Sequence, residues 1–570
     1  MTWFRETRGV QFELVRHFLG RMFDGEWGAP GQWQNVAVGA ISLLLPAGIL
    51  LIREGYLDPQ AAAKYRALAG HAEALRAATI ADELSLVTLV FCITGLVALL
   101  EWQSLFPSGR DYLALAGKPI LSRQIFTARF LSVLIFSTAI IVAMNLLPSL
   151  IAPLEFTGRW QEHASFLFHM GAQAAASGLA CFFVFFGILA LQGALLNLLP
   201  ARWFARVSVY VQGALIAVLL LGGLYSWSIK EWQPGTIARL AQFGAWLPPV
   251  WFTGLHENLV GDPSPFFAAM GQRALAASGV AAVLSVCTYL LSNRRYRKLL
   301  LETPVQLAAP RVRRFSLLHL LARDPQQEAA MQFMAKTLAR SRSHRILWLA
   351  YIGGALAIML NSSMIDGAIF ARHGGLKAVR FLVLFWPLAC SVVMLSGIRH
   401  VMSVPSELRA NWMFQITESL GRKQWMRAME RFVMAYAVLP VYAVLTPVAV
   451  VILGWGMTVR MTILQVLVSL FIFEVRFHSW QQLPFTCSYR PAQKPLVAVL
   501  GGYFGVLCVI IPLVSGMIAA AAEIPFLYPV YLVWFTFDYV WARKLRRDGW
   551  GESKLLYEDL ADSYDLGLGA

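Results

Sequence analysis

The chain has 570 residues, of which 58% are hydrophobic and only 14% are charged. A soluble protein of this length carries about a quarter charged residues, so the composition excludes an ordinary soluble protein and predicts an all-α polytopic membrane protein. The formal net charge of +16 does not indicate nucleic-acid binding. The basic residues lie between long apolar runs, as they do on the cytoplasmic face of membrane proteins.

Twelve runs without Asp, Glu, Lys or Arg follow a polar N-terminal stretch, and each predicts one membrane-spanning helix. Six lie in the first half of the chain, at 36–52, 84–100, 130–154, 163–201, 207–229 and 274–293. Six more lie at 346–365, 381–398, 432–458, 461–473, 495–522 and 524–537. The last extends to Trp541 if Asp538 points toward the basic residues that follow. The sequence therefore predicts about twelve transmembrane helices in two halves of six.

Two segments outside these runs have distinctive patterns. Residues 10–23 place apolar and basic side chains on roughly different faces of a helix, which favours an interfacial helix over a soluble cap. In the loop 230–272, Pro248-Pro249 stands in a charge-free stretch that also contains Trp246 and Trp251. Paired prolines disfavour a continuous spanning helix. The loop therefore predicts a re-entrant or interfacial pair of short helices, with a plain loop as the alternative.

Loop charge orients the predicted helices. The segment 294–342 carries eleven Lys or Arg against three acids, and further basic clusters lie in alternate loops. The positive-inside rule makes these loops and both termini cytoplasmic. The opposite loops are balanced or acidic, including 54–83, which ends in Asp82-Glu83. The predicted organisation is a first transmembrane half at 1–293, a basic cytoplasmic connector at 294–345, and a second half with a cytoplasmic tail at 346–570.

The two halves also share local sequence features that predict an internal duplication. Polar segments of similar length follow the second and eighth runs and start at Pro107 and Pro405. They end at Arg129-Phe130 and Arg431-Phe432, and the fourth and tenth runs both lead into Leu-Pro, at Pro200 and Pro484. The halves are therefore expected to be pseudo-repeats.

Motifs for enzyme chemistry are missing from the sequence. It has no G-x-x-x-x-G-K-[ST], H-E-x-x-H or G-x-S-x-G pattern and no Cys/His cluster at metal-ligand spacing. We therefore predict no catalytic residue, metal or cofactor. Polar residues within spans are candidates for a transport pathway, although they also pair or join helices. The possible pathway residues are Gln173, Gln192, Asn197, Glu474, Arg476 and His478.

Two cytoplasmic segments carry a family resemblance. The first reads Glu101-Trp102-Gln103-Ser104-Leu105-Phe106-Pro107 and continues through Arg110-Asp111-Tyr112. The second reads Val404-Pro405-Ser406-Glu407 and continues to Asn411-Trp412. Both are similar to the corresponding segments of double-length ABC-2-type transporter permeases. Gly117-Lys118-Pro119 departs from the Leu-Pro pattern expected nearby.

The resemblance implies the permease subunit of an exporter in a bacterial cytoplasmic membrane. Such a subunit moves its substrate, here unidentified, with ATP hydrolysed by separate cytoplasmic ABC ATPase subunits, and a short helix after the second span docks on the ATPase. The implied coupling residues are Phe106, Pro107, Arg110, Asp111, Tyr112, Pro405, Glu407, Arg409, Asn411, Trp412 and Phe414. Aromatic anchors and charged pairs are suited to this interface, and ordinary interfacial loops are the alternative.

Two other function classes are compatible with the sequence. An ion-coupled secondary transporter also has twelve spans in two repeats. It requires a buried carboxylate near the middle of the membrane, and the sole candidate, Glu474, directly follows the tenth run and lies near the inner edge. A membrane-embedded lipid transferase requires acids and histidines gathered on an interfacial loop, where Glu155, Glu162, His163 and His169 come closest.

Overall fold

A computed structural model describes residues 2–24, 67, 71–102, 104–106, 120–159, 166–229, 244–261, 264–302, 321–373, 375–406, 422–478, 480, 482–486 and 505–548. Nearly all of these residues are helical and none of them lies in a β-strand. The predicted all-α class is therefore confirmed for the described part of the chain. The chain divides into two compact units, Met1–Ala308 and Ala309–Ala570.

Unit 1 contains seven described α-helices. They are α1 (Thr2–Asp24), α2 (Ala72–Leu100), α3 (Ser122–Arg159), α4 (Phe166–Leu198), α5 (Ala201–Ile229), α6 (Pro248–Val260) and α7 (Pro265–Glu302). By length and composition, α2, α3, α4, α5 and α7 can each cross a bilayer. They contain the second to sixth predicted spans, whereas the predicted span at 36–52 lies outside the described residues.

Helices α2 and α4 form the centre of unit 1. Helix α4 packs against α2, α3 and α7, and α2 packs against α5. The helices around this centre leave large apolar side chains exposed, such as Leu146 on α3, Val218 on α5 and Val283 on α7. Exposed apolar faces on long helices are suited to contact with lipid chains. Unit 1 therefore has the character of a membrane-embedded bundle.

Helix α6 begins at the proline pair of the predicted outer loop. A proline lacks the N–H that a first helical turn leaves unused, so Pro248 and Pro249 start the helix without disrupting it. The helix ends at Gly261, which has a left-handed conformation with φ 99°. It packs against α2, α4 and α7, with Phe252 and Leu255 buried. Within the described part of this loop, which begins at residue 244, the structure has one short α-helix preceded by a 3-10 turn at Gly244–Trp246.

Helix α1 buries one face against protein. Leu14, Val15 and Phe18 are buried and cluster with Ile125 and Ala128 of α3. Phe12, on another face, is 67% exposed. The segment predicted to be helical is thus a helix that packs on α3, and its place in a membrane interface stays a prediction.

Unit 2 contains eight described α-helices. They are α8 (Pro325–Arg340), α9 (Arg342–His373), α10 (Gly375–Ser403), α11 (Arg422–Val433), α12 (Leu439–Leu453), α13 (Trp455–Arg476), α14 (Ile511–Glu523) and α15 (Leu527–Asp548). A π-helical turn at Met434–Val438 joins α11 to α12, and another at Val506–Ile510 precedes α14. Each π turn lies just before a proline, Pro440 or Pro512, whose missing N–H interrupts the regular hydrogen-bond ladder.

Helix α10 is the most buried candidate span of unit 2. It packs against α9, α12, α13 and α14, while α13 packs against α15 and α8 packs against α11. Gly397 permits the close approach of α9, because a Cβ atom there would lie 2.4 Å from Cγ of Tyr351. Gly454, with φ 80°, separates α12 from α13. The boundary between the spans predicted at 432–458 and 461–473 therefore lies at this glycine, inside the first of the two runs.

Nine helices in the described part of the chain are long and apolar enough to cross a membrane: α2 to α5, α7, α9, α10, the continuous α11–α12 segment and α13. Helix α14 is a shorter apolar helix. Helix α15 begins apolar and ends in the basic residues Arg543, Lys544, Arg546 and Arg547. The polytopic membrane class is thus supported, and the number twelve stays a prediction.

Candidate functional site

The segment after α2 is anchored to the other helices of unit 1. The backbone carbonyl of Trp102 accepts a hydrogen bond from Gln192 Nε2 of α4, at 2.6 Å. The carbonyl of Leu99 accepts one from Gln212 Nε2 of α5, at 2.7 Å. These carbonyls lie at or just after the end of α2, where the regular hydrogen-bond pattern of a helix stops and side chains can supply donors. The two glutamines therefore fix the beginning of the predicted coupling segment.

Arg129 of α3 connects this segment to α1. Its guanidinium donates to the carbonyl of Ser104 and, at 3.5 Å, to the carbonyl of Phe18 on α1. It also lies over the Phe18 ring, 5.1 Å from the centroid. Arg129 is itself buried, with 3% of its surface exposed. One side chain thus joins α1, α3 and the end of the α2 segment.

The segment after α10 is anchored in a different way. Phe485 donates its N–H to the carbonyl of Met402 at 2.8 Å, and its carbonyl accepts the N–H of Ser406 at 3.0 Å. Phe485 has φ 67°, a left-handed conformation that is strained for a phenylalanine. His344 Nε2 forms a 2.9 Å hydrogen bond with the carbonyl of Val404. These contacts hold residues 402–406 in place.

Arg431 of α11 connects α8 to α11 within unit 2. It donates to the carbonyl of Leu321 at 2.8 Å and to Oε1 of Gln327 at 2.5 Å. Gln327 Nε2 in turn donates to Gln424 Oε1 at the start of α11. Gln327 is buried although it is polar, so these hydrogen bonds satisfy it.

Few of the predicted coupling residues fall within the described part. Phe106 is only 3% exposed and stacks on Tyr289 of α7, with ring centroids 4.9 Å apart. Its ring packs inside unit 1 and offers no exposed surface to a partner. Pro405 is half-buried. The others lie outside the described residues: Pro107, Arg110, Asp111, Tyr112, Glu407, Arg409, Asn411, Trp412 and Phe414.

Glu474, the predicted intramembrane acid, is in an ion-paired cluster. Its carboxylate accepts hydrogen bonds from Arg546 of α15, through Nε and, at 3.3 Å, through Nη2. Arg546 Nη2 also lies 3.0 Å from Oε2 of Glu430 on α11. His478 is exposed and Arg476 donates to Ser396 Oγ at 3.0 Å. The structure therefore separates Glu474, Arg476 and His478, and Glu474 joins three helices electrostatically.

Two of the remaining pathway candidates act as helix–helix links. Gln192 donates to the Trp102 carbonyl as described above. Asn197 Nδ2 donates to the Thr288 carbonyl at 2.9 Å and to Ser292 Oγ at 3.1 Å, both on α7. Amide side chains that bond a neighbouring helix in this way stabilise membrane bundles.

Gln173 has a different environment, next to an acid that the sequence analysis missed. Glu83 was expected at the end of an outer loop, but it lies within α2 and is 1% exposed. Gln173 of α4 and His256 of α6 interact with its carboxylate. His169, one turn before Gln173 on α4, is also buried, which removes it from the interfacial loop that a lipid transferase would need. A buried polar cluster thus forms where α2, α4 and α6 meet.

Comparisons of the chain with known protein families, with curated proteins and with solved structures give no match. The function must therefore be argued from the residues of the chain itself.

Proposed function

We propose that the chain is the membrane-spanning permease subunit of an ABC-type exporter in a bacterial cytoplasmic membrane. Both termini lie in the cytoplasm, and separate ABC ATPase subunits bind there and supply the energy. The family resemblance of the two segments that follow α2 and α10 is the basis of the proposal. The described structure supports it through the way in which each unit holds the beginning of its segment.

The observation that carries the proposal is a pair of corresponding arginines. Arg129 follows the first segment and Arg431 follows the second, each directly before a phenylalanine. Arg129 donates to the carbonyl of Phe18 in α1. Arg431 donates to the carbonyl of Leu321, four residues before α8 begins. Each arginine therefore holds the helix that precedes the spans of its own unit, or the residues that lead into that helix. Two such arrangements in one chain suit two ATPase subunits, because each needs a rigid element to push against.

The order of helix packing also supports a duplicated permease. In unit 1, α1 packs on α3, α2 packs on α5 and α4 packs on α7. In unit 2, α8 packs on α11, α10 packs on α14 and α13 packs on α15. These are corresponding pairs when the continuous α11–α12 segment counts as one span, α6 is set aside, and α9 is matched to the predicted span at 36–52, which lies outside the described residues. Helix α6 has no counterpart among the described helices of unit 2, so the proposed repeats have diverged on the outer side.

Copurification with an ATP-binding partner tests the proposal. The tagged full-length chain is purified from its native membranes in mild detergent and photolabelled with an azido analogue of ATP. We expect a labelled partner, because the chain lacks a P-loop. Tyr112→Ala combined with Trp412→Ala should abolish the labelled partner. The control is Trp455→Ala, at the first residue of α13, where the tryptophan is 73% exposed and lies outside both segments. This variant should retain the labelled partner.

The outcome that would contradict the proposal is transport without an ATPase. If the purified chain alone moves substrate at the full rate in vesicles, it is not an ABC permease. A buried carboxylate favours one other candidate, the ion-coupled secondary transporter, since Glu83 lies within a candidate span. Loss of transport on collapse of the proton gradient, with ATP intact, would support that alternative.

A further inference from the structure

A polar cluster lies at the junction of α2, α4 and α6 in unit 1. Glu83 is 1% exposed, and both of its carboxylate oxygens lack a hydrogen bond of ordinary geometry to any described residue. An ionised carboxylate removed from water is unstable unless it is paired or hydrogen-bonded. Few groups of this kind occur within spans, and those that do are usually functional.

Gln173 faces Glu83, and its polar atoms are likewise buried without a hydrogen-bond partner among the described residues. Its side chain interacts with the Glu83 carboxylate but not in hydrogen-bonding geometry, and Nε2 and Oε1 are both without a partner among the described residues. Its exposed fraction is 0%. The other amides of α4, Gln192 and Asn197, donate to neighbouring helices. Gln173 is thus available to an acceptor or donor that enters the cluster.

The charges around Glu83 are predominantly negative. The charged or titratable groups that act on it are Asp82, Glu257 and His256. His256 Nδ1 lies 3.2 Å from Glu257 Oε1, so any positive charge on the imidazole is already shared with another acid. Arg273 on α7 is exposed and donates to the carbonyl of Ala245 at 3.3 Å. No described Lys or Arg forms an ion pair with Glu83.

The backbone of α6 is held firmly beside this cluster. Gly254, two residues before His256, lies so close to α7 that a Cβ atom there would be 2.4 Å from Cβ of Met270. Phe252, one turn before His256, packs on Phe183 of α4 with ring centroids 5.7 Å apart. The position of His256 is therefore set by packing on two sides, and an apolar layer adjoins the polar groups.

We propose that Glu83 and Gln173 form a binding site for a protonated primary amine, with Glu257 and Asp82 adding negative charge nearby and His256 bound to Glu257. An ammonium group has three donors and one positive charge. The Glu83 carboxylate and the Gln173 carbonyl oxygen are acceptors, and the charge of the ligand compensates the buried acid. A metal ion fits less well, because the described residues contain no group of three or more His, Cys, Asp or Glu arranged to hold one.

The test uses binding of radiolabelled methylammonium to the purified full-length chain in detergent, in a sodium-free buffer of constant ionic strength. We expect saturable binding to the unaltered protein. Glu83→Gln, which keeps the shape and removes the charge, should weaken binding by roughly ten- to a hundredfold, since it removes a charge-assisted hydrogen bond. Gln173→Leu should weaken it in the same direction.

The matched control is Glu73→Gln, which removes an acid from the exposed surface of the same helix. It should leave methylammonium binding unchanged. Thermal unfolding of Glu83→Gln checks that the variant is folded, and a transition at least as high as that of the unaltered protein is expected because a buried charge has been removed.

Two results would overturn the inference: equal binding to the unaltered chain and to Glu83→Gln, or full displacement of methylammonium by an equal concentration of added sodium. The first shows that the cluster is not the site, and the second that it does not select an amine. No nucleotide or partner takes part in this measurement. Its failure is therefore independent of the proposed coupling to an ATPase.

Discussion

The guanidinium of Arg546, near the end of α15, lies against the carboxylate of Glu474, at the end of α13, with 0% and 1% of the two side chains exposed. Arg546 also bonds Glu430 of α11 and lies over the Phe473 ring at 4.9 Å. The Arg546 side chain therefore joins α15 to both α11 and α13. Removing only one partner of a buried ion pair strongly destabilises a protein, because the other charge stays buried without compensation.

Arg546→Ala is therefore expected to lower the free energy of unfolding by about 3–5 kcal/mol, because it leaves the Glu474 carboxylate buried without its cation. Thermal or denaturant unfolding of the purified chain in detergent measures this change. Arg547→Ala is the control: its side chain is 41% exposed and 3.7 Å from Glu430, so a loss below about 1 kcal/mol is expected. Equal losses for the two variants would refute the structural role of Arg546.

The close approach at Gly254 makes a second prediction. Gly254→Ala places a methyl group 2.4 Å from the Met270 Cβ, so α6 must move away from α7. Such overpacking costs about 1–3 kcal/mol. Gly279→Ala on α7, where nothing lies within 4 Å of the added atom, should be neutral or stabilising. Unfolding curves and the rate of proteolytic cleavage around α6 distinguish the two variants.

Asn197 is predicted to stabilise the bundle without lining a pathway. Asn197→Ala removes its bonds to Thr288 and Ser292 on α7. Interhelical hydrogen bonds in membrane proteins contribute about 0.6 kcal/mol on average. We expect a stability loss of that order with transport per folded molecule unchanged. A transport defect in a variant of near-normal stability would return Asn197 to the pathway.

The two corresponding arginines are predicted to act alike. Arg129→Ala removes the hydrogen bond that joins α1 to α3. Arg431→Ala removes the one that joins Leu321, just before α8, to α11. Either variant should reduce stimulation of the partner's ATP hydrolysis by the permease, because the segment loses its rigid support. Arg123→Ala, on the exposed surface of α3, is the control. An effect of Arg129→Ala with none of Arg431→Ala would oppose functional duplication.

Long apolar runs were the most predictable part of this structure. Each of the runs at 84–100, 130–154, 207–229 and 274–293 lies within one described helix, because a backbone in lipid must satisfy its own hydrogen bonds. The rule fails at charged residues. The predicted second span begins at Leu84, because the carboxylate of Glu83 was expected to mark the edge of the hydrocarbon. The helix α2 instead begins at Ala72 and buries Glu83.

The roles of polar residues were less predictable than the helices. Gln173, Gln192 and Asn197 are equivalent in the sequence, as amides in one apolar run. Only packing distinguishes them, since Gln192 and Asn197 meet carbonyls of other helices and Gln173 meets an acid. Glu474 was a candidate for chemistry until its partner Arg546 was located on another helix.

The sequence by itself determined that the chain is a bundle of long apolar helices, because helix length and the exclusion of charge are properties of each segment alone. It also supplied the two segments on which the proposed ATPase coupling rests. Only the tertiary structure decided which polar residues are satisfied. Hydrogen bonds and ion pairs at buried positions depend on side chains from distant segments. Glu83 became a candidate site because α4 and α6 bring Gln173 and His256 to it, and no described Lys or Arg forms an ion pair with it.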